Sequence, residues 1–326
     1  MGVDTTGMPS KAHELMRIAV VGVGGVGGYF GARLAQSGHD VTFIARGAHL
    51  DALRRDGLRL ESPKGDVELS VDATDDATSV GPVDAVLVAV KTWQLSDAFD
   101  VIRPMLGPET AVLPLLNGVE APGALAAALG AGHALGGLCR IVSHLDGPGR
   151  IKHIGVEPFV CFGELDNAPT DRVETLREAF GRAPGLDVGV TADVVAAMWQ
   201  KFLFIAPTSG VGAAAHVPFG VMRETRQTRD LIERAMRETL QVGKASGVNL
   251  SDELIPAALD LLDAAPAGGT TSMQRDIEQG RPSELDAQTG AVVRIGERLG
   301  IATPVNDVLY RVLLPREQRA RGALEF

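Results

Sequence analysis

From Arg17 to about Val190, short runs of β-branched and apolar residues alternate with stretches in which apolar positions recur every three or four residues. That alternation predicts a mostly parallel sheet with helices on its faces. The predicted strands are Arg17–Val21, Val41–Ala45, Leu58–Leu60, Val67–Val71, Ala85–Val90 and Ala111–Leu113, then Ala134–Val142, Gly149–Ile154, Phe159–Phe162 and Asp187–Val190. Ser62-Pro63-Lys64-Gly65 reads as a tight turn, so the strands on either side of it form a hairpin inserted in the parallel order. After Thr191 the strand-like runs stop. Gln227–Ser246, Asp252–Ala264 and Leu285–Leu299 carry apolar residues at helical spacing. The expected architecture is α/β: a doubly wound sheet over residues 17–190 followed by an all-helical domain over 191–326.

A length of 326 residues agrees with two domains of about 150 residues each. With 45% hydrophobic and 22% charged residues the chain is neither disordered nor fibrous. The formal charge of −10 leaves no broad positive surface, so neither nucleic acid nor an anionic membrane is an expected partner. Anions must instead be bound by local devices. Residues 1–16 hold no apolar stretch long enough for a secretory signal and are expected to be a disordered extension. No run of 18 apolar residues predicts a membrane span. Cys139 and Cys161 read as reduced thiols of a cytoplasmic protein. His144 and His153 lack a partnering cysteine at ligand spacing, so no metal site is expected. The long helix Gln227–Ser246 offers either a core stripe or the face of a homodimer.

Gly22-Val23-Gly24-Gly25-Val26-Gly27 follows the strand Ile18–Val21 directly and opens a helical pattern. In that setting the first glycine permits a sharp turn, Gly24 lets the backbone touch a pyrophosphate, and Gly27 lets the helix close on the strand. The free amides and positive end of the helix then hold the anion. Gly22, Gly24, Gly25, Val26 and Gly27 are therefore candidate cofactor residues. At the tip of the second strand, Ile44-Ala45-Arg46-Gly47 offers a guanidinium where NAD-preferring proteins place a carboxylate, which points to the 2′-phosphate of NADPH. Lys91-Thr92-Trp93-Gln94 and Asn117-Gly118 each follow a predicted strand, at the end of the sheet where such folds bind ligands.

In the helical half, Lys201 is the one ammonium in the apolar stretch Ala196–Ile205. A lysine there either snorkels to water or, stripped of hydration, becomes a readier proton donor. Ser283 with Asp286 resembles a capping box, which would place Glu284 in a first helical turn.

Taken in series, the glycine turn, Lys91-Thr92-Trp93-Gln94, Asn117-Gly118, Trp199-Gln200-Lys201 and Ser272 through Asp286 resemble the ketopantoate reductase family over about residues 16–315. The resemblance implies a Rossmann domain and a helical domain with the substrate between them, and NADPH reducing 2-dehydropantoate to pantoate in pantothenate biosynthesis. It makes Lys201 the catalytic lysine that protonates the forming alkoxide and Glu284 the acidic residue that orients the substrate hydroxyl. Ser272 becomes the contact to the substrate carboxylate, and Asn117 touches both nicotinamide and substrate. Arg46, Lys91 and Gln94 line the adenosine phosphate. Three positions depart from the family pattern. Asparagines one and two turns after the lysine are Ile205 and Ser209 here, and a third, three residues before the serine, is Gly269. Ser209 keeps a hydroxyl at a substrate-binding position. Lost amide partners weaken affinity for a small polyol acid and favour a larger or more apolar 2-oxo acid or ketone. Three readings therefore stand: ketopantoate reductase, a sibling NADPH-dependent reductase of another carbonyl compound, and a non-catalytic NADP-sensing module.

Overall fold

The computed structural model describes residues 15–325. The expected disordered extension falls almost wholly outside that range, but its last residue, Met16, is buried and its amide donates to His39 Nδ1 at 3.2 Å. Five parallel strands form the central sheet in the order β5 (Asp72–Thr74), β2 (Asp40–Ile44), β1 (Arg17–Val21), β6 (Val83–Val88) and β7 (Leu106–Pro114). Successive side chains of a strand face opposite sides, and here both sides are apolar. Ile18, Val20, Ala85 and Leu87 enter one hydrophobic cluster with Tyr29, Phe30 and Leu34 of helix α1 (Gly25–Gln36). Ala19, Val21, Val86 and Val88 enter another with helices α3 (Leu95–Ile102) and α4 (Ala121–Leu129). Helix α2 (Gly47–Asp56) flanks the edge strand β5.

The Ser62–Gly65 turn does make a hairpin, of β3 (Leu58–Glu61) and β4 (Val67–Leu69), but it is not inserted in the parallel sheet. It belongs to a separate sheet ordered β4-β3-β10-β9, in which β3 pairs with β10 (Arg150–His153) and β10 with β9 (Ser143–Leu145). Ile151 of β10 fits against Gly28 of α1, where a Cβ would lie 2.5 Å from its side chain. The stretch expected as one strand, Ala134–Val142, ends as β8 (Leu135–Arg140), which pairs with β11 (Phe159–Glu164); β12 (Asp187–Gly189) completes that third sheet after helix α5 (Asp171–Arg182). Cys139 and Cys161, on β8 and β11, are buried free thiols.

The remainder is helical. Helix α6 (Val194–Ala215) starts where the Asp193 side chain accepts from the Ala196 amide at 2.9 Å, a cap worth about 1 kcal/mol. By length and composition α6 could cross a membrane, although Gln200 and Lys201 interrupt its apolar run. It is the core helix of this half, packed by α8 (Arg226–Ala245), α10 (Ser272–Glu278) and α12 (Pro304–Ala320). Ile232, Ala235, Met236, Leu240 and Val242 of α8 are buried, so the apolar stripe of this helix goes to the core. Helices α7 (Phe219–Glu224), α9 (Leu254–Ala264) and α11 (Thr289–Leu299) complete the layer. Helix α11 begins four residues later than expected, at Thr289; Glu284 opens the turn before it, its carbonyl accepting from the Gln288 amide at 2.9 Å. The Ser283 hydroxyl still accepts from the Leu285 amide at 3.2 Å, but it donates to Glu317 of α12.

Candidate active site

The turn after β1 is built by its glycines. Gly22 has φ +97°, and a Cβ there would lie 2.6 Å from the Val90 amide nitrogen. At Gly27 a Cβ would meet the Gly22 carbonyl oxygen at 2.2 Å, so only hydrogen lets α1 close onto the strand. Gly25 makes room for a different neighbour, since its Cβ would lie 2.4 Å from the Ser143 carbonyl oxygen of β9. Gly24 faces open space and caps α1 with no side-chain acceptor. Val26 is half-buried in the first helical turn. Amides at a helix start with no cap and an open approach at Gly24 fit a dinucleotide pyrophosphate.

Arg46 stands exposed at the tip of β2, before Gly47 at φ +57°. His49, one turn further on, accepts from the Gly149 amide at 2.9 Å, and burial holds its pKa below the ordinary imidazole value. Lys91 reaches across to the helical half, where its ammonium lies 3.2 Å from Asp276 Oδ2; Asp276 also holds Arg281 at 2.7 Å. The Gln94 side chain turns back to accept from the Lys91 amide at 3.2 Å. Trp93 lies beneath the Arg321 guanidinium, 4.6 Å from its ring centre.

At the carboxyl end of β7 the two halves meet. Lys201 Nζ donates to Asn117 Oδ1 at 2.9 Å, and Asn117 Nδ2 donates to Glu284 Oε2 at 2.9 Å. The amide is oriented by its neighbours, its oxygen toward the ammonium and its NH₂ toward the carboxylate. Glu284 is only 5% exposed. Cys139 sits below this chain; burial pushes its thiol pKa up, Lys201 opposes that shift and Glu284 adds to it. A small cavity of about 10 Å³ lies beside Lys201, lined by Leu116, Gly118, Gly137, Met198, Phe202 and Ile205. Met198, Lys201, Phe202 and Ile205 recur at helical spacing and share one face of α6. A larger cleft of about 170 Å³ adjoins Asn117, with Trp93, Ser283, Arg294 and Arg321 on its wall.

Ser272 is the half-buried first residue of α10, which packs on α6. Ser209 is fully buried two turns beyond Lys201, and its hydroxyl has no hydrogen-bond partner among the described residues. Glu317, which sequence reading did not single out, is 4% exposed and accepts from the Ser283 amide at 3.0 Å. Arg321 donates to Glu317 at 2.6 Å and to the Ser283 carbonyl at 3.0 Å, so the peptide leading into Glu284 is held on both sides. Their own i,i+4 spacing is the one local signal; the bonds to Ser283 that give them a role span 34 and 38 positions. No group of three His, Cys, Asp or Glu among the described residues could hold a metal ion.

Comparison with known proteins agrees with this geometry. Residues 18–167 match the family described as ketopantoate reductase PanE/ApbA, and residues 193–317 match its C-terminal part. The chain is 32% identical over 295 residues to an uncharacterized oxidoreductase, YkpB, of Bacillus subtilis, covering 90% of this chain and 97% of that protein. It is 30% identical over 322 residues to 2-dehydropantoate 2-reductase of Mesorhizobium japonicum, covering 91% and 97%. The crystal structure of 2-dehydropantoate 2-reductase from Geobacter metallireducens superposes with a TM-score of 0.85 at 33% identity, covering 91% of this chain and 99% of that one. With a glycine turn open to a dinucleotide and a lysine, an asparagine and a glutamate joined across the cleft, the chain belongs to the ketopantoate reductase family of oxidoreductases.

Proposed function

We propose that this protein is an NADPH-dependent reductase that converts a 2-oxo acid to the 2-hydroxy acid, with 2-dehydropantoate, which would give pantoate, as its reference substrate. The observation that carries the reading is the Lys201–Asn117–Glu284 chain at the carboxyl end of the sheet, on the same side as the open Gly24 turn. The residues fit a dinucleotide: uncapped amides of α1 for the diphosphate, and Arg46 for a 2′-phosphate with no carboxylate beside it at 45–47. Bound there, the reduced nicotinamide supplies the hydride. As the carbonyl carbon gains hydride its oxygen gains an electron pair, and the Lys201 ammonium stabilises that charge and gives up the proton. Asn117 holds the ammonium in place, and Glu284 fixes Asn117 by accepting its NH₂. Ser272 is the proposed contact to the substrate carboxylate. The buried free thiols support a cytoplasmic location.

A second reading, a sibling reductase acting on another 2-oxo acid, is favoured by Ile205 on the wall next to Lys201. Oxidation of NADPH followed at 340 nm, with 2-dehydropantoate beside a panel of 2-oxo acids, tests both. Turnover of 2-dehydropantoate alone selects the first and turnover elsewhere the second. Tight NADPH binding without any turnover overturns both and leaves a cofactor-sensing module.

A further inference from the structure

We infer that Arg294 is a positioning residue of the reaction: its guanidinium clips the segment carrying Asn117 to the segment carrying Glu284 and so sets the hydrogen bond between them. The inference rests on the reductase reading and deepens it. Asn117 and Glu284 come from opposite halves of the molecule, and Asn117 Nδ2 donates to Glu284 Oε2 at 2.9 Å. Glu120 stands three residues beyond Asn117, and Asp286 two beyond Glu284. Arg294, on α11, reaches both. Its Nη2 donates to Glu120 Oε2 at 2.8 Å, and its Nη1 donates to Asp286 Oδ1 at 2.7 Å and to the Asp286 carbonyl oxygen at 3.0 Å.

The surroundings are shaped for this clip. Gly118 has φ +96°, and a Cβ there would lie 2.8 Å from the Ala287 carbonyl oxygen, so the two segments touch through their backbones beside the Asn117–Glu284 bond. At Gly290 a Cβ would lie 2.8 Å from the Tyr310 ring and 3.2 Å from both Arg294 Nη1 and Asp286 Oδ1, so a side chain there would crowd the guanidinium. Tyr310 Oη donates to Asp286 Oδ1 at 3.1 Å and fixes that carboxylate. A guanidinium holds its donors in a rigid planar fork, which sets the spacing of its acceptors where a single ammonium would not. The three side chains of the clip are 42% exposed or more, and ion pairs so exposed add little to stability. What the clip supplies is geometry. Without it the Glu284 segment drifts from Asn117, whose oxygen holds the Lys201 ammonium at 2.9 Å, and a misplacement of about 1 Å costs about 10²-fold in rate.

The test uses the full-length enzyme, saturating NADPH and whichever of 2-dehydropantoate and the 2-oxo acid panel turns over fastest. Arg294→Gln should lower kcat by about 10- to 100-fold, while NADPH affinity stays within about threefold and the urea midpoint moves little. Glu120→Gln breaks the same contact from the other half and should lower kcat to a comparable extent. The double variant should then lose no more than the worse single one, because both delete one interaction. Arg294→Lys keeps the charge without the fork, and its kcat should stay closer to that of Arg294→Gln than to wild type. If Arg294→Gln does not fold, Glu120→Gln decides alone. A fall in kcat of less than about tenfold in both single variants, losses that multiply in the double variant, or full recovery with lysine overturns the inference and leaves the reductase reading standing. Should the wild-type enzyme oxidise NADPH with none of these substrates, the reductase reading falls and takes the inference with it.

Discussion

Lys201→Ala removes the charged group from the cavity wall and leaves Asn117 Oδ1 without its donor at 2.9 Å. If hydride addition builds an alkoxide at that ammonium, the variant loses both a fixed positive charge and the proton it carries. Deleting one preorganised oxyanion partner costs about 2.7–4 kcal/mol, a factor of about 10²–10³. Loss of general-acid catalysis is worth about 10²–10⁴. These describe overlapping roles of one group and do not multiply, so the expected fall in kcat is about 10²–10⁴. The glycine turn and Arg46 lie on the other half of the molecule, so affinity for NADPH should change less than about threefold. Single-turnover oxidation at 340 nm isolates the chemical step from product release, and NADPH fluorescence titration reads the binding. A loss of kcat smaller than tenfold with the cofactor still bound would refute the assignment, because no proton donor of that importance can be dispensable.

Three other outcomes follow from the structure. Arg46→Ala should raise the Michaelis constant for NADPH by about 10- to 100-fold, the worth of one charge-assisted hydrogen bond, and leave that for NADH unchanged; equal constants for NADPH in wild type and variant would remove Arg46 from the 2′-phosphate. Glu317→Ala leaves the Ser283 amide and the Arg321 guanidinium without their buried acceptor and should cost about 3 kcal/mol, measured as a lower urea midpoint; an unchanged midpoint would show that the loop entering Glu284 is held by other contacts. At Glu164 burial raises the carboxyl pKa, but hydrogen bonds from Arg172 and Thr170 prevail and hold it below the ordinary value. A depressed folded value contributes stability that is present above the unfolded value of about 4.3 and is lost as pH falls through the folded one. Glu164→Gln should therefore flatten the acid limb of the stability curve, and parallel acid limbs in the two proteins would contradict this.

Legibility in the sequence followed the range of the interactions. The strand, glycine turn and helix from Arg17 to Gln36 were readable because each requirement is met within a few residues, such as Gly27 clearing the Gly22 carbonyl. Lys201 and Glu284 could be named only through the family resemblance, since a lone ammonium in an apolar helix has an equally good explanation in snorkelling. Their bonds to Asn117 span 84 and 167 residues, and no periodicity encodes such a pairing. The late start of α11 was hidden for the same reason: apolar spacing runs through Leu285, but Glu317 holds the Ser283 peptide in a loop.

Hydrophobic period and glycine placement were thus enough to specify an α/β half, a helical half and the turn that admits a dinucleotide, because these follow from local backbone geometry and from which faces must be buried. Folding in three dimensions settled the rest. It set the hairpin into a second sheet against α1 and turned Lys91 toward Asp276. It also brought Lys201 to Asn117 and Asn117 to Glu284, since the surroundings of a charge depend on distant segments that meet only when the core closes.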